Sequence, residues 1–215
     1  MADLERRAEV CILHLGSDEN RFNRTSVSSI NSVLDEVSAT QGPVSLVVTG
    51  DGRFFSNGLD LDWLMTGEEA ADAFVDDVHD LLHRFLRLDM VTVGAINGHA
   101  FAGGAMLAAT LDFTVMRADR GYWCLPEVDL GLPLTPDMFA ALESHIPRPA
   151  LAEAALTGRR YSSAEAHQAG IVGFLASESE LLDRAVEIAG ANASKNREVI
   201  AAHKLLLYGP RSTAR

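Results

Sequence analysis

Apolar residues along the chain follow two rhythms, and the changes from one to the other divide it into elements. The run "EVCILHL" (9–15) is short and rich in β-branched residues. After it Val27, Ile30, Val33, Leu34 and Val37 recur at helical spacing, which predicts a strand and then a helix. "VSLVVTG" (44–50) is apolar almost throughout and ends in glycine, the pattern of a strand buried on both faces. Beyond a loop, Ala70, Phe74, Val78, Leu81, Leu82 and Phe85 mark the inward stripe of a second helix. "VTVGAI" (91–96) repeats the buried-strand pattern and leads through Asn97-Gly98 into an alanine-rich helix. "DFTVMR" (112–117) and "YWCL" (122–125) read as further short strands. Strands alternating with helices predict an α/β fold with a largely parallel sheet. From about Pro136 onward the pattern is mostly helical, with a capping box from Ser162 to Glu165, a short apolar run "IVGFL", and helices near 178–193 and 195–207. No linker, repeat or low-complexity segment interrupts, so residues 1–215 read as a single domain.

Composition narrows the function classes. A chain of 215 residues, 47% hydrophobic, can bury a sizeable core, and its net charge of −12 disfavours a broad face for nucleic acid or anionic lipid. Cys11 and Cys124 show no metal-ligand spacing and suit a reducing compartment. His79, His83, His145, His167 and His203 make no metal-like pairing with carboxylates, so no metal is expected. "MADLERRAEV" lacks the apolar stretch of a signal peptide and "STAR" is no lipidation motif, which together predict a cytoplasmic protein. "VTVGAINGHAFAGGAMLAA" is apolar enough to imitate a membrane span, but Asn97-Gly98 breaks it.

Two loops carry the chemistry. "NGHAFAGG" (97–104) and "GRFFSNGLDL" (52–61) each follow a buried strand and enter a helix, where backbone N–H groups are unpaired. Small residues at 102–105 permit either tight helix-to-strand packing or the approach of a ligand oxygen to the main chain. Two such donors converging on one oxygen would make an oxyanion hole. Asp60 is expected to cap the helix after Leu59, and His99 to hydrogen-bond within its turn.

"FFSNGLDL", "AINGHAFAGG" and "LPEVDLGLPL", in that order and spacing, resemble the crotonase superfamily, and within it the plant-type Δ3,Δ2-enoyl-CoA isomerases. The resemblance covers roughly residues 8–208. It implies a crotonase-type spiral of ββα units with a helical C-terminal region, assembled as a homotrimer or dimer of trimers. The implied ligand is an acyl-CoA thioester, with no cofactor beyond the coenzyme A it carries. Its carbonyl oxygen would sit between the backbone N–H groups of Leu59 and Gly103, with Asn57, Gly58, Gly104, Trp63, Leu64 and Phe139 around the substrate. The family's hydratases use two glutamates. The position of the first is Met106 here, and that of the second is Glu127. One carboxylate suffices to carry a proton from C2 to C4, so isomerisation is favoured over hydration. Asp129 competes with Glu127, because in an extended segment the two would share a face. Hydration, thioester hydrolysis and non-catalytic acyl-CoA binding remain the alternatives. Arg21, Arg53 and Lys204 are the candidate cations for the coenzyme phosphates.

Overall fold

The computed structural model describes residues 1–64 and 71–209. A hairpin of β1 (Asp3–Arg7) and β2 (Val10–His14) precedes helix α1 (Arg24–Ser38). Three units of strand, short strand and helix follow. They are β3 (Ser45–Thr49), β4 (Phe54–Ser56) and α2–α3 (Leu61–Leu64, Ala71–Arg87); β5 (Thr92–Ile96), β6 (His99–Phe101) and α4 (Gly103–Ala109); and β7 (Phe113–Arg117), β8 (Tyr122–Cys124) and α5 (Glu127–Leu130). The rest comprises α6 (Pro136–Glu143), α7 (Arg148–Thr157), β9 (Tyr161–Ser162), α8 (Ser163–Gln168), β10 (Phe174–Ala176), α9 (Leu181–Gly190) and α10 (Arg197–Tyr208).

Each unit gives its first strand to a six-stranded sheet, ordered β1-β2-β3-β5-β7-β10, and its second to a four-stranded sheet, β4-β6-β8-β9. All neighbours run parallel except β1 with β2 and β8 with β9. This is the spiral of ββα units that the motifs imply. "SLVVT" and "TVGAI" are buried at every position because both faces of the large sheet are covered. Leu46 and Val48 join the main core with residues of α1 and α3, while Val47, Val93 and Val115 pack on Leu181, Ala185 and Ala189 of α9. Four strands escape the apolar pattern. β1 is the charged segment "DLERR", and β4, β6 and β9 are only two or three residues long, too short to show a period. Ala70 and "STAR" lie outside the described residues. Among the described residues no helix is long and apolar enough to cross a membrane. The apolar stretch 91–109 is instead divided among β5, β6 and α4.

Helix starts follow the expected side chains. Ser162 and Glu165 form the capping box of α8, and Asp60 accepts the Trp63 N–H at the start of α2 (3.3 Å). Lys204 overturns its expectation. It is 4% exposed, and its Nζ lies 2.6 Å from Asp112 Oδ2, an oxygen that also accepts the Thr92 N–H at 2.8 Å. Burial pulls its pKa down. The residue latches α10 to the start of β5 and cannot reach a coenzyme phosphate.

The glycine question divides between neighbours. A Cβ on Gly104 would stand 2.2 Å from the Ser56 carbonyl oxygen, so this glycine serves packing and not the substrate contact expected of it. We expect Gly104→Ala to destabilise the fold by about 2 kcal/mol or more, because rigid backbone opposes the new methyl. Gly131→Ala, at a left-handed φ of +69° with nothing within 4 Å of its Cβ, should lose only about 1 kcal/mol from strain. Urea unfolding of the two variants measures the contrast.

Candidate active site

The loop after β4 and the loop after β6 meet backbone to backbone. Gly58 has a φ of +77°, and a Cβ there would stand 2.7 Å from the Gly103 nitrogen. On the other side, a Cβ on Gly103 would come to 3.4 Å from Gly58 Cα and 3.2 Å from the Phe22 ring. Phe22 donates its N–H to Gly58 O at 2.7 Å and accepts the Asp60 N–H at 2.9 Å. Peptide directions alternate along an extended chain, so the N–H of Leu59 points away from Phe22. Gly103 is the first residue of α4, where an N–H has no partner within the helix. Ala102 before it holds φ 50° and ψ −124°, a conformation that strains an L-residue. Two bonds hold that turn: Ala102 N–H to Cys124 O and Met106 N–H to Ala102 O, both 3.0 Å.

Leu59 and Gly103 line one cavity of about 730 Å³. Its walls also include Asn57, Ala102, Met106, Cys124, Pro126, Glu127, Leu130, Val75, Val78 and Met138. Glu127 opens α5 and is 9% exposed, and its Oε2 is buried with no hydrogen-bond partner among the described residues. Burial raises its pKa. An unpaired carboxylate against a wall of aliphatic groups is a competent proton acceptor. Met106, 1% exposed, occupies the same wall and cannot ionise.

Several expected neighbours lie elsewhere. The segment around Asp129 is helical and not extended, so residues two apart stand about 200° apart around the axis and do not share a face. Asp129 is exposed, and its carboxylate lies beside Gly158. Trp63 packs edge-on against Phe74 and lines a separate cleft of about 740 Å³ beside α1, with Arg24 and Ser28. Leu64 is half-buried and packs against the core. Phe139 is 37% exposed and is not among the described lining residues, where its neighbour Met138 is. Gly58 and Gly104 shape the site by packing, without lining it. Asn57 lines the cavity, with its side-chain amide donating to Glu19 (3.1 Å).

Cations are redistributed too. Arg21 lines the cavity, but Glu19 (2.5 Å), Asp62 (2.9 Å) and Asp60 (3.5 Å) surround it and hold its pKa well above the usual range. Arg53 is exposed, over the Phe54 ring. Arg160, which no motif marks, stands in the cavity wall. His99 does not hydrogen-bond within its turn through Nδ1. That atom is buried without a partner among the described residues, and the ring packs among Phe54, Phe101 and Tyr122. Burial, reinforced by Arg53, Arg120 and Arg160, lowers its pKa. The Cys124 thiol is pushed up to about 11 by burial and donates to Gly158 O, so it is no nucleophile at neutral pH. Among the described residues no group of three His, Cys, Asp or Glu side chains could hold a metal ion.

Comparison with known proteins identifies the family. The family model described as enoyl-CoA hydratase/isomerase matches residues 5–209. Enoyl-CoA delta isomerase 3 of Arabidopsis thaliana is 37% identical, over 97% of this chain and 92% of its own. The peroxisomal enoyl-CoA delta isomerase 2 of the same plant is 38% identical, over 84% and 79%. Among solved structures, the probable enoyl-CoA hydratase EchA3 of Mycobacterium tuberculosis superposes with a TM-score of 0.88 at 26% identity, over 96% of this chain and 87% of that one. A matching family model over nearly the whole length, together with the spiral fold, places this chain in the enoyl-CoA hydratase/isomerase family, the crotonases.

Proposed function

We propose that the protein is an enoyl-CoA isomerase that converts 3-enoyl-CoA to 2-enoyl-CoA. One observation carries the reading: among the described residues the cavity wall holds one buried carboxylate, Glu127, and presents Met106 where the hydratases of the family have their other glutamate. Thioester binding would set the carbonyl oxygen against the N–H groups of Leu59 and Gly103. Glu127 would then take a proton from C2, the negative charge would gather on that oxygen, and the same carboxyl group would return the proton at C4. Donors fixed in place for the developing oxyanion lower the barrier directly, each typically contributing about 3 to 4 kcal/mol. The reaction needs no cofactor. The names of the Arabidopsis relatives support the same activity. Hydration needs a second group to orient water, and Asp129, turned toward Gly158, does not supply it.

A homotrimer or dimer of trimers is part of this proposal. Leu205, Leu206 and Leu207 of α10 are 63%, 83% and 67% exposed, which supports burial of that helix against another copy. The cytoplasm is the proposed compartment on sequence grounds, although two of the Arabidopsis relatives are named as peroxisomal.

Glu127→Gln should lower kcat on 3-hexenoyl-CoA by at least about 10²-fold while leaving acyl-CoA affinity close to wild type. A smaller loss in a steady-state assay would place the base elsewhere. The same variant has a stability signature. A carboxyl group whose pKa is raised in the folded chain favours folding when protonated, and that contribution disappears as pH rises through the folded value. Glu127→Gln should therefore be more stable than wild type at neutral pH. The gap should close as pH falls below the ordinary glutamate range near about 4.3, which urea titrations at several pH values would follow.

Wild-type protein should give no 3-hydroxyacyl-CoA from 2-enoyl-CoA, and Met106→Glu should introduce a detectable trace. The gain stays small because the alanine-lined wall desolvates the new carboxylate and keeps part of it protonated. Chromatography of both incubations decides the matter, and efficient hydration by the wild type would refute the isomerase assignment.

A further inference from the structure

The outer face of the small sheet carries a cluster that the proposed proton transfer does not use. Phe54 of β4, His99 and Phe101 of β6 and Tyr122 of β8 form a ladder of rings, with His99 5.2 Å from Phe54, 5.0 Å from Phe101 and 5.8 Å from Tyr122. Phe55, Ala100 and Trp123 alternate with them and point into the core. Arginines crown the ladder. The Arg53 guanidinium stands 5.7 Å from the Phe54 centroid and that of Arg160 5.6 Å from Phe101. Arg120 belongs to the same positive field around His99, which, with burial, disfavours protonation of the imidazole.

These cations differ from most of the other arginines, although Arg87 likewise has no ion pair among the described residues. Arg6, Arg7, Arg21, Arg84, Arg117, Arg148, Arg159, Arg184 and Arg197 are each paired with a carboxylate. Among the described residues no carboxylate stands within ion-pair distance of Arg53, Arg120 or Arg160, in a protein with 30 acidic residues against 18 basic ones. Arg160 stands over the Phe101 ring, and its charge acts on the Cys124 thiol and on His99. Phe54, Phe101 and Arg160 also line the cavity that holds Glu127, so the ladder is one bank of that cavity. Arg21, the other cavity arginine, is already neutralised by its three acids.

We propose that Arg160, flanked by Arg53 and Arg120, binds an anionic oxygen group of the thioester ligand, a phosphate of the coenzyme or a carboxylate on the acyl chain. The assignment rests on the reading of the cavity as an acyl-CoA site. A guanidinium fixed over a ring presents its N–H fork edgewise, the geometry that phosphates and carboxylates accept in pairs of hydrogen bonds. Because no acid among the described residues competes for it, the interaction is left to the ligand.

Equilibrium binding separates the sources without any turnover. Wild type, Arg160→Met and the control Arg159→Met, whose arginine is held by Glu153 and Glu165, are titrated calorimetrically with hexanoyl-CoA, hexanoyl-pantetheine and adipoyl-CoA. A phosphate partner predicts that Arg160→Met weakens hexanoyl-CoA by about tenfold and leaves hexanoyl-pantetheine unchanged. An acyl carboxylate predicts unchanged hexanoyl-CoA and a similar loss for adipoyl-CoA. Arg160→Lys, which keeps the charge, should recover part of either loss, and it stands in if the methionine variant fails to fold, then showing a smaller loss on the same ligand. Wild-type affinity of Arg160→Met for both CoA thioesters overturns the proposal, as does a wild type that binds no thioester. A wild type that binds hexanoyl-CoA but isomerises nothing defeats the isomerase reading alone.

Discussion

The structure depends on a contact between two stretches of backbone with no side chain between them. Gly58 and Gly103 approach so closely that a methyl group on Gly58 would collide with the Gly103 nitrogen. That approach joins the first ββα unit to the second at the point where each chain leaves the small sheet for its helix. Phe22 seals it from below, with its ring under Gly103 and its peptide bonded to both Gly58 and Asp60. With the loops so fixed, the backbone positions of Leu59 and Gly103 are set by the fold. The strained turn at Ala102 shows the same priority, since its bonds to β8 and α4 hold a conformation that alanine alone would leave.

Charge is handled differently on the two sides of the cavity. On one side lies Glu127, against aliphatic surface and with an oxygen that no described residue satisfies. Its pKa is raised by lost hydration, which outweighs a backbone hydrogen bond that acts the other way. On the other side stand arginines over rings, a placement that the weakly hydrated guanidinium tolerates. In the proposed reading, a thioester between them would meet Glu127 at one bank and cations at the other, although the protein as a whole is strongly acidic.

Much of this was legible in the sequence where one element carries its own signal. β3 and β5 appear as apolar runs because both faces of the large sheet are covered, and Asp60 and Ser162 appear as caps because their role is local. Glu127 and Met106 follow from motif position. What stayed hidden depends on long-range placement. β4 and β6 are three residues long and become strands only through each other and β8. Arg160 follows α7 yet meets Phe101, some sixty residues earlier, because β9 pairs with β8. Lys204 looked like a surface cation because its partner Asp112 lies far away in sequence. Asp129 was misplaced by its local conformation, since a helical turn at 127–130 sends it away from Glu127. Trp63 and Phe139 sit one helix face away from the expected wall, a distinction that residue type cannot carry.

The order of strands in the large sheet also sets a timetable. From β3 through β5 to β7, each parallel neighbour follows a complete ββα unit along the chain. The final strand, β10, pairs with β7 across more than fifty intervening residues. Until Phe174–Ala176 have left the ribosome, the far edge of β7 has no partner, and Val47, Val93 and Val115 await the cover of α9. A nascent chain halted after α5 would thus hold a nearly finished cavity above an open sheet edge, the form most exposed to pairing with another copy.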